Sequence, residues 1–181
     1  MDYFCYHRDR IGSMTLRHEL LEQHWAYMDQ FDAVMVARGP TFTEDGTLTG
    51  SVHILDLPDS DAARSFAFNE PGYQAGVYRD VLLRRWQNLQ GATMWDYAGD
   101  PDGSRYLVLG FTSALWLGDL QWSADESFIA SGPLLSDDGT RMLGAAALLT
   151  APDAEAARSA LNAGQYDGIE VHQWRPGGRP A

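Results

Sequence analysis

The sequence predicts an α+β protein made of two βαββαβ modules packed sheet to sheet. Three observations carry that expectation. The 181-residue chain repeats itself at an offset of 93 to 94 residues. Each copy alternates short apolar strands with two helical stretches. The composition, 45% hydrophobic with no long apolar run, is that of an ordinary globular chain.

The repeat is read directly from the letters. Arg38-Gly39-Pro40, Asp45-Gly46-Thr47, Gly50, Pro58-Asp59 and Ala62-Ala63-Arg64-Ser65 occur in that order. They return as Ser131-Gly132-Pro133, Asp138-Gly139-Thr140, Gly144, Pro152-Asp153 and Ala156-Ala157-Arg158-Ser159. Both copies open on a Tyr-led apolar strand, at Tyr3 and Tyr106, and close on a tryptophan, Trp86 and Trp174.

In the first copy residues 2–7 read as a strand and 15–31 as a helix whose apolar stripe is Leu16, Leu20, Tyr27, Met28 and Phe31. Residues 33–37 read as a strand, Asp45-Gly46 as a hairpin turn and 48–57 as the return strand. Asp59 or Ser60 is placed to cap a helix over 62–68, and 81–86 supplies the last strand. The second copy repeats the series at 105–111, 112–126, 127–131, 141–150, 153–163 and 168–175.

Such modules make ferredoxin-like sandwiches, with helices on one sheet face and the other face bare. Two fused copies cover the bare faces by packing them together, and the seam between the sheets is the expected place for a pocket. The expected organisation is a first module at 1–91, a linker at 92–103, a second module at 104–176 and a flexible tail at 177–181.

Composition narrows the chemistry. The formal charge of −12 opposes a nucleic-acid partner, because phosphate binding needs clustered positive charge. All 13 basic residues are arginine, so a Schiff-base lysine and a P-loop lysine are both excluded. The single cysteine, Cys5, excludes an internal disulfide and a thiolate zinc cluster. With no membrane-length apolar run and no signal-like N-terminus, the expectation is a cytoplasmic protein off the membrane, monomeric or homodimeric.

His24 falls near the centre of the apolar stripe of the first helix, away from Glu19, Glu22, Gln23 and Asp29. A histidine facing a sheet must find a partner or a cavity. Two readings stand: a core histidine bonded to a backbone carbonyl, or a general acid/base at a pocket. Arg17 lies two turns earlier on nearly the same face, about 10 Å away. It can hold an acidic substrate group, or it can snorkel or pair with a nearby acid. His18 and His24 are six residues apart, about 120° around the helix, and so fail the zincin spacing. No metal and no cofactor are expected. His53 sits on the third strand, on a face that sequence leaves open. Trp25, Tyr27 and Trp86, among 14 Trp and Tyr residues, suit either an aromatic ligand or plain core.

With these residues in place, the first copy resembles the YCII-related domain family of the dimeric α/β-barrel superfamily. The matching stretches are Gln23-His24-Trp25-Ala26-Tyr27-Met28, Arg38-Gly39-Pro40, Asp45-Gly46, Gly50, the helix start at 58–65, Glu70-Pro71 and Arg85-Trp86. The resemblance implies a single-chain dimeric α/β barrel. It also implies an acid/base pair made by a first-helix histidine, here His24, and an aspartate before a proline, here replaced by Glu70. A carboxylate within reach of His24 would set the imidazole tautomer and raise its basicity. A solvent-facing turn residue is the other reading of Glu70. The second copy has Leu117-Gly118-Asp119 and Asn162-Ala163-Gly164-Gln165 at the corresponding places, so the resemblance allows one site, on the first copy.

The functional expectation is a cofactor-independent enzyme of lyase, isomerase, dehydratase or cyclase type acting on a cyclic or aromatic small molecule. His24 and Glu70 would be catalytic, with Arg17, Trp25, Tyr27, His53 and Trp86 binding substrate. Two alternatives are a non-catalytic small-molecule binder or accessory protein, and a cofactor-free oxygenase of phenols or quinols.

Overall fold

Side-chain alternation in the first strand sets the layout. In β1 (Asp2–Asp9), Phe4 and Tyr6 point to one face while Tyr3 and Cys5 point to the other, and all four are buried. A strand buried on both faces needs a cover on each. In the computed structural model, which describes residues 1–113 and 126–179, one cover is a second sheet and the other is a layer of helices.

The elements of the first half are β1, α1 (Met14–Glu19), α2 (Leu21–Met28), β2 (Met35–Phe42), β3 (Leu48–Asp56), α3 (Ser60–Phe68), α4 (Pro71–Gln74) and β4 (Tyr78–Trp86). The second half supplies β5 (Arg105–Phe111), β6 (Phe128–Leu135), β7 (Met142–Thr150), α5 (Ala154–Ser159) and β8 (Gly168–Trp174). All pairs are antiparallel, and the strands close a barrel in the order β1-β3-β2-β8-β5-β7-β6-β4. Two short ladders join the halves: Thr41 and Phe42 against Trp174 and Gln173, and Arg85 and Trp86 against Leu135 and Leu134. The expected α+β fold, with four antiparallel strands from each half closed into one barrel, is present.

The barrel interior holds Phe4, Tyr6, Val52, Ile54, Leu107, Leu109, Leu134, Leu148, Trp86 and Trp174, all nearly inaccessible. Eight strands enclose just enough room for side chains, and each such burial contributes about 1.5–3 kcal/mol. The seam expected to hold a pocket is therefore filled. The repeated Gly-Pro step explains how tightly it closes. A Cβ at Gly39 would lie 1.9 Å from the Arg175 carbonyl oxygen, and one at Gly132 would lie 1.8 Å from that of Gln87. Each glycine thus admits the chain that follows the last strand of the opposite half. Trp86 completes one junction by donating its indole N–H to the Gly132 carbonyl at 3.0 Å.

One local expectation is corrected. The first helix is not continuous over 15–31: it breaks at Leu20, which sits at φ −95°, ψ 2°, and residues 29–34 wind as a 3-10 turn. The segment expected as linker is tied down, with the Met94 N–H bonded to the Val36 carbonyl at 2.9 Å and the Tyr97 hydroxyl to Thr150 at 2.8 Å. Within the expected tail, Arg179 pairs with Glu22 at 2.7 Å and Asp29 at 3.1 Å. The expected second-copy helix at 112–126, with Trp116, Leu117-Gly118-Asp119 and Trp122, lies almost wholly outside the described residues. Elsewhere the capping expectation holds: the Asp59 carboxylate accepts the Ala62 N–H at 2.8 Å and starts α3. Among the described residues no helix is long and apolar enough to cross a membrane.

Candidate active site

Glu70 occupies the step between α3 and α4. Asn69 ends α3, Pro71 opens α4 at its first position, and Glu70 is the N-cap between them. One carboxylate oxygen, Oε2, accepts the Tyr73 N–H at 2.7 Å, which turns the other, Oε1, toward α2. There Oε1 meets Nδ1 of His24 at 2.8 Å. The Glu70 side chain is wholly buried, while His24 keeps 18% exposure. Burial alone would raise the Glu70 pKa. The hydrogen bond and charge of His24, with the backbone N–H groups of Gly72 and Tyr73, outweigh it and hold the pKa below its ordinary value. An ionised Glu70 makes Nδ1 the protonated ring nitrogen and leaves the lone pair on Nε2, which has no hydrogen-bond partner among the described residues.

His24 lines a cavity of about 360 Å³ between α1, α2 and the outer face of the first sheet. That volume lies within the range of small-molecule sites. Leu20, Trp25 and Met28 form its apolar helix side; His53, Ser51 and Tyr78 line it from the strands. Outward alternation on β3 puts Ser51, His53 and Leu55 on the helix face and sends Val52 and Ile54 into the barrel. This decides the face of His53.

His53 is buried, and its Nδ1 has no hydrogen-bond partner among the described residues. Burial first, and then the charges of His24, His7, Arg17 and Arg38, hold its pKa well below the ordinary 6.5. Its ring centroid lies 5.7 Å from that of His24 and 5.9 Å from that of His7. His7 donates its Nε2–H to the Ala67 carbonyl at 2.8 Å, which leaves Nδ1 to accept from the Cys5 thiol at 3.6 Å. Burial pushes the Cys5 thiol pKa up, as does the Glu70 charge, so Cys5 is a packed thiol and not a nucleophile. Among the described residues no cluster of three His, Cys, Asp or Glu side chains is arranged to hold a metal ion.

Arg17 also lines the cavity, held by the Asp9 carboxylate and by the Ser51 hydroxyl at 2.6 Å. Its acidic partner is Asp9, not Glu70. Tyr78 lies beneath it, the guanidinium carbon 5.9 Å from the ring centre. Burial and the Glu70 charge push the Tyr78 pKa well above 10.0, so its hydroxyl stays protonated at the cavity floor.

The structure thus brings together His24, Glu70, Arg17, Trp25 and His53. Tyr27 and Trp86 lie elsewhere. Tyr27 turns to α3, packs in the outer core and donates to the Phe66 carbonyl at 3.0 Å; Trp86 fills the barrel junction. Sequence reasoning missed Asp9, Ser51, Tyr78, Arg38 and the tail residues 176–179, all at or beside the cavity. Only strand alternation with Ser51 and His53 offered a signal for any of them.

Comparison with known proteins follows this geometry. Residues 1–87 match the family model of the YCII-related domain. No curated protein matches the chain. Among solved structures, the 5-chloro-2-hydroxyhydroquinone dehydrochlorinase of Burkholderia phenoliruptrix, in complex with 2,5-dihydroxybenzoquinone, is 30% identical. The match covers 51% of this chain and 99% of that one, with a TM-score of 0.47. A candidate monooxygenase of Lactobacillus acidophilus is 8% identical over 96% of this chain and 93% of its own, with a TM-score of 0.53, and shares the barrel fold. The chain belongs to the YCII-related domain family through residues 1–87.

Proposed function

We propose that this protein is a small-molecule enzyme of lyase or isomerase type that moves protons with the His24–Glu70 pair. One observation carries the reading: a fully buried carboxylate lies 2.8 Å from Nδ1 of a histidine that lines a cavity. Glu70 fixes the tautomer and stabilises the imidazolium that forms when Nε2 takes a proton. The bond runs to a carboxylate and not to a backbone carbonyl, which favours the catalytic reading of His24 over the structural one. An open cavity beside the pair favours an enzyme over a non-catalytic partner protein.

The cavity lining points to the substrate class. Trp25, Met28 and Leu20 offer a flat apolar wall, and Arg17 and the Tyr78 hydroxyl offer donors. A ring bearing hydroxyl or other acidic oxygens fits that arrangement. Proton removal by Nε2, followed by loss of a leaving group or by reprotonation elsewhere, gives elimination or isomerisation. The first compound to assay is 5-chloro-2-hydroxyhydroquinone, with chloride release and the ring absorbance as readouts, alongside a panel of unhalogenated quinols and cyclic enols. We expect turnover that His24→Asn lowers about 10²–10⁴-fold. Unchanged turnover in that variant, on any compound the protein converts, would sink the proposal.

A further inference from the structure

The second half of the chain reaches the cavity. Beyond β8, residues 176–179 run across β2 and line the same space as His24. The Arg175 N–H donates to the Pro40 carbonyl at 3.1 Å and the Gly177 N–H to the Arg38 carbonyl at 3.0 Å. Arg179 then bridges to Glu22 at 2.7 Å and Asp29 at 3.1 Å, with its guanidinium carbon 5.5 Å from the Trp25 ring centre. The segment is a strap from one half of the molecule over the site of the other.

A count of donors and acceptors singles out one residue beneath that strap. Arg17 is matched by Asp9, Arg179 by Glu22 and Asp29, and Glu70 by His24. Arg38 is different. Its Nη1 donates to Asp32 at 2.7 Å and its Nε to the Gly177 carbonyl at 3.3 Å, but Nη2 has no acceptor among the described residues. Gly178 packs against that nitrogen so closely that a Cβ on it would stand 2.9 Å from Nη2. Arg38 is also the cross-strand partner of His53, so both share the cavity face of the sheet. Its side chain is only 14% exposed, so an anion reaching it leaves most of its water behind.

We propose that Arg38, oriented by the strap from the second half, is the anion-recognising residue of the cavity, and that the ligand is a planar ring bearing a carboxylate. The inference rests on the reading of this cavity as a substrate site. It adds the acid group that the substrate carries and the residue that selects it. Arg38 is a guanidinium held by a carbonyl at Nε and a carboxylate at Nη1, and the charge-assisted donor left at Nη2 suits an anionic oxygen such as a carboxylate's.

Isothermal titration of the full chain with 3,4-dihydroxybenzoate and with catechol tests this without any turnover. The carboxylated ring is expected to bind about tenfold tighter or more. Arg38→Gln should remove that preference and leave catechol binding unchanged, and Arg38→Lys should restore only part of it. Asp32 is 56% exposed, so Asp32→Asn serves as a variant expected to fold whatever Arg38→Gln does. Freed of its competing carboxylate, Arg38 should bind the benzoate a few-fold more tightly, on the scale of a charge-assisted bond. Equal binding of the two rings, binding of neither, a preference that survives Arg38→Gln, or an unchanged Asp32→Asn would overturn the inference. His24→Asn should lower turnover about 10²–10⁴-fold yet keep the preference, so failure of the proposed reaction and failure of this inference are read separately.

Discussion

Glu70 is at once the N-cap of α4 and the partner of His24: Oε2 accepts the Tyr73 N–H at 2.7 Å while Oε1 lies 2.8 Å from Nδ1 of the imidazole. A helix start has been placed so that its capping carboxylate also orients a ring on a different helix. The dual duty makes the carboxylate position stiff, and a stiff partner holds one tautomer of His24.

Glu70→Gln should therefore lower turnover about 10–100-fold while retaining substrate binding, since the amide keeps a hydrogen-bonding oxygen but not the charge. Stability should fall by about 1–3 kcal/mol, read from urea unfolding. The pH dependence has a defined sign. The folded pKa of Glu70 lies below 4.5, so its contribution is present above that value and is lost as pH falls through the lower folded value. The Gln variant should show a flatter decline in melting temperature in that acid window.

His53 gives the opposite kind of group, a histidine kept neutral by burial. Its folded pKa lies well below 6.5, and that of the neighbouring His7 is lowered too, again chiefly by burial. The unfolded chain takes up these protons first, so stability falls as pH drops below 6.5. Each such group adds a slope of up to about 1.4 kcal/mol per pH unit. His53→Gln should remove one proton from that slope, measured by denaturant titrations at a series of pH values between neutrality and mild acid.

Arg17→Ala should destabilise the fold by about 3 kcal/mol, because Asp9, whose side chain is 9% exposed, would be left with its charge uncompensated. Burial already raises the Asp9 pKa and Arg17 opposes the rise. Pairing Arg17→Ala with Asp9→Asn should recover much of the loss. A double-mutant cycle that gave simple additivity would show that the two side chains do not act as a unit.

Gly39→Ala tests the junction between the halves. The added methyl would sit 1.9 Å from the Arg175 carbonyl oxygen, so β2 or the strap must move. We expect a loss of about 2–4 kcal/mol and a melting temperature lower by several degrees. Gly132→Ala, at the other junction, should cost a similar amount but leave ligand binding at the His24 cavity unaltered.

Much of this protein is local and therefore legible in its letters. Strand alternation, the Asp45-Gly46 turn, the Asp59 cap and the order of elements depend on neighbours in sequence, and each was readable without coordinates. His24 could be placed on the inner stripe of its helix by periodicity alone, and Glu70 by a helix end followed by proline together with the family resemblance. What periodicity cannot supply is which of two sheet faces meets the helices, because both faces of β1 and β3 are buried. Barrel closure settled that: it filled the seam where a pocket had been expected and left the cavity on the helix side, with His53 turned into it. The remaining cavity residues come from distant places, Asp9 from the end of β1, Tyr78 from the start of β4 and Arg179 from beyond the last strand. Their meeting depends on how strands pair across more than a hundred positions, a long-range choice decided by packing in the closed barrel and not by any local pattern.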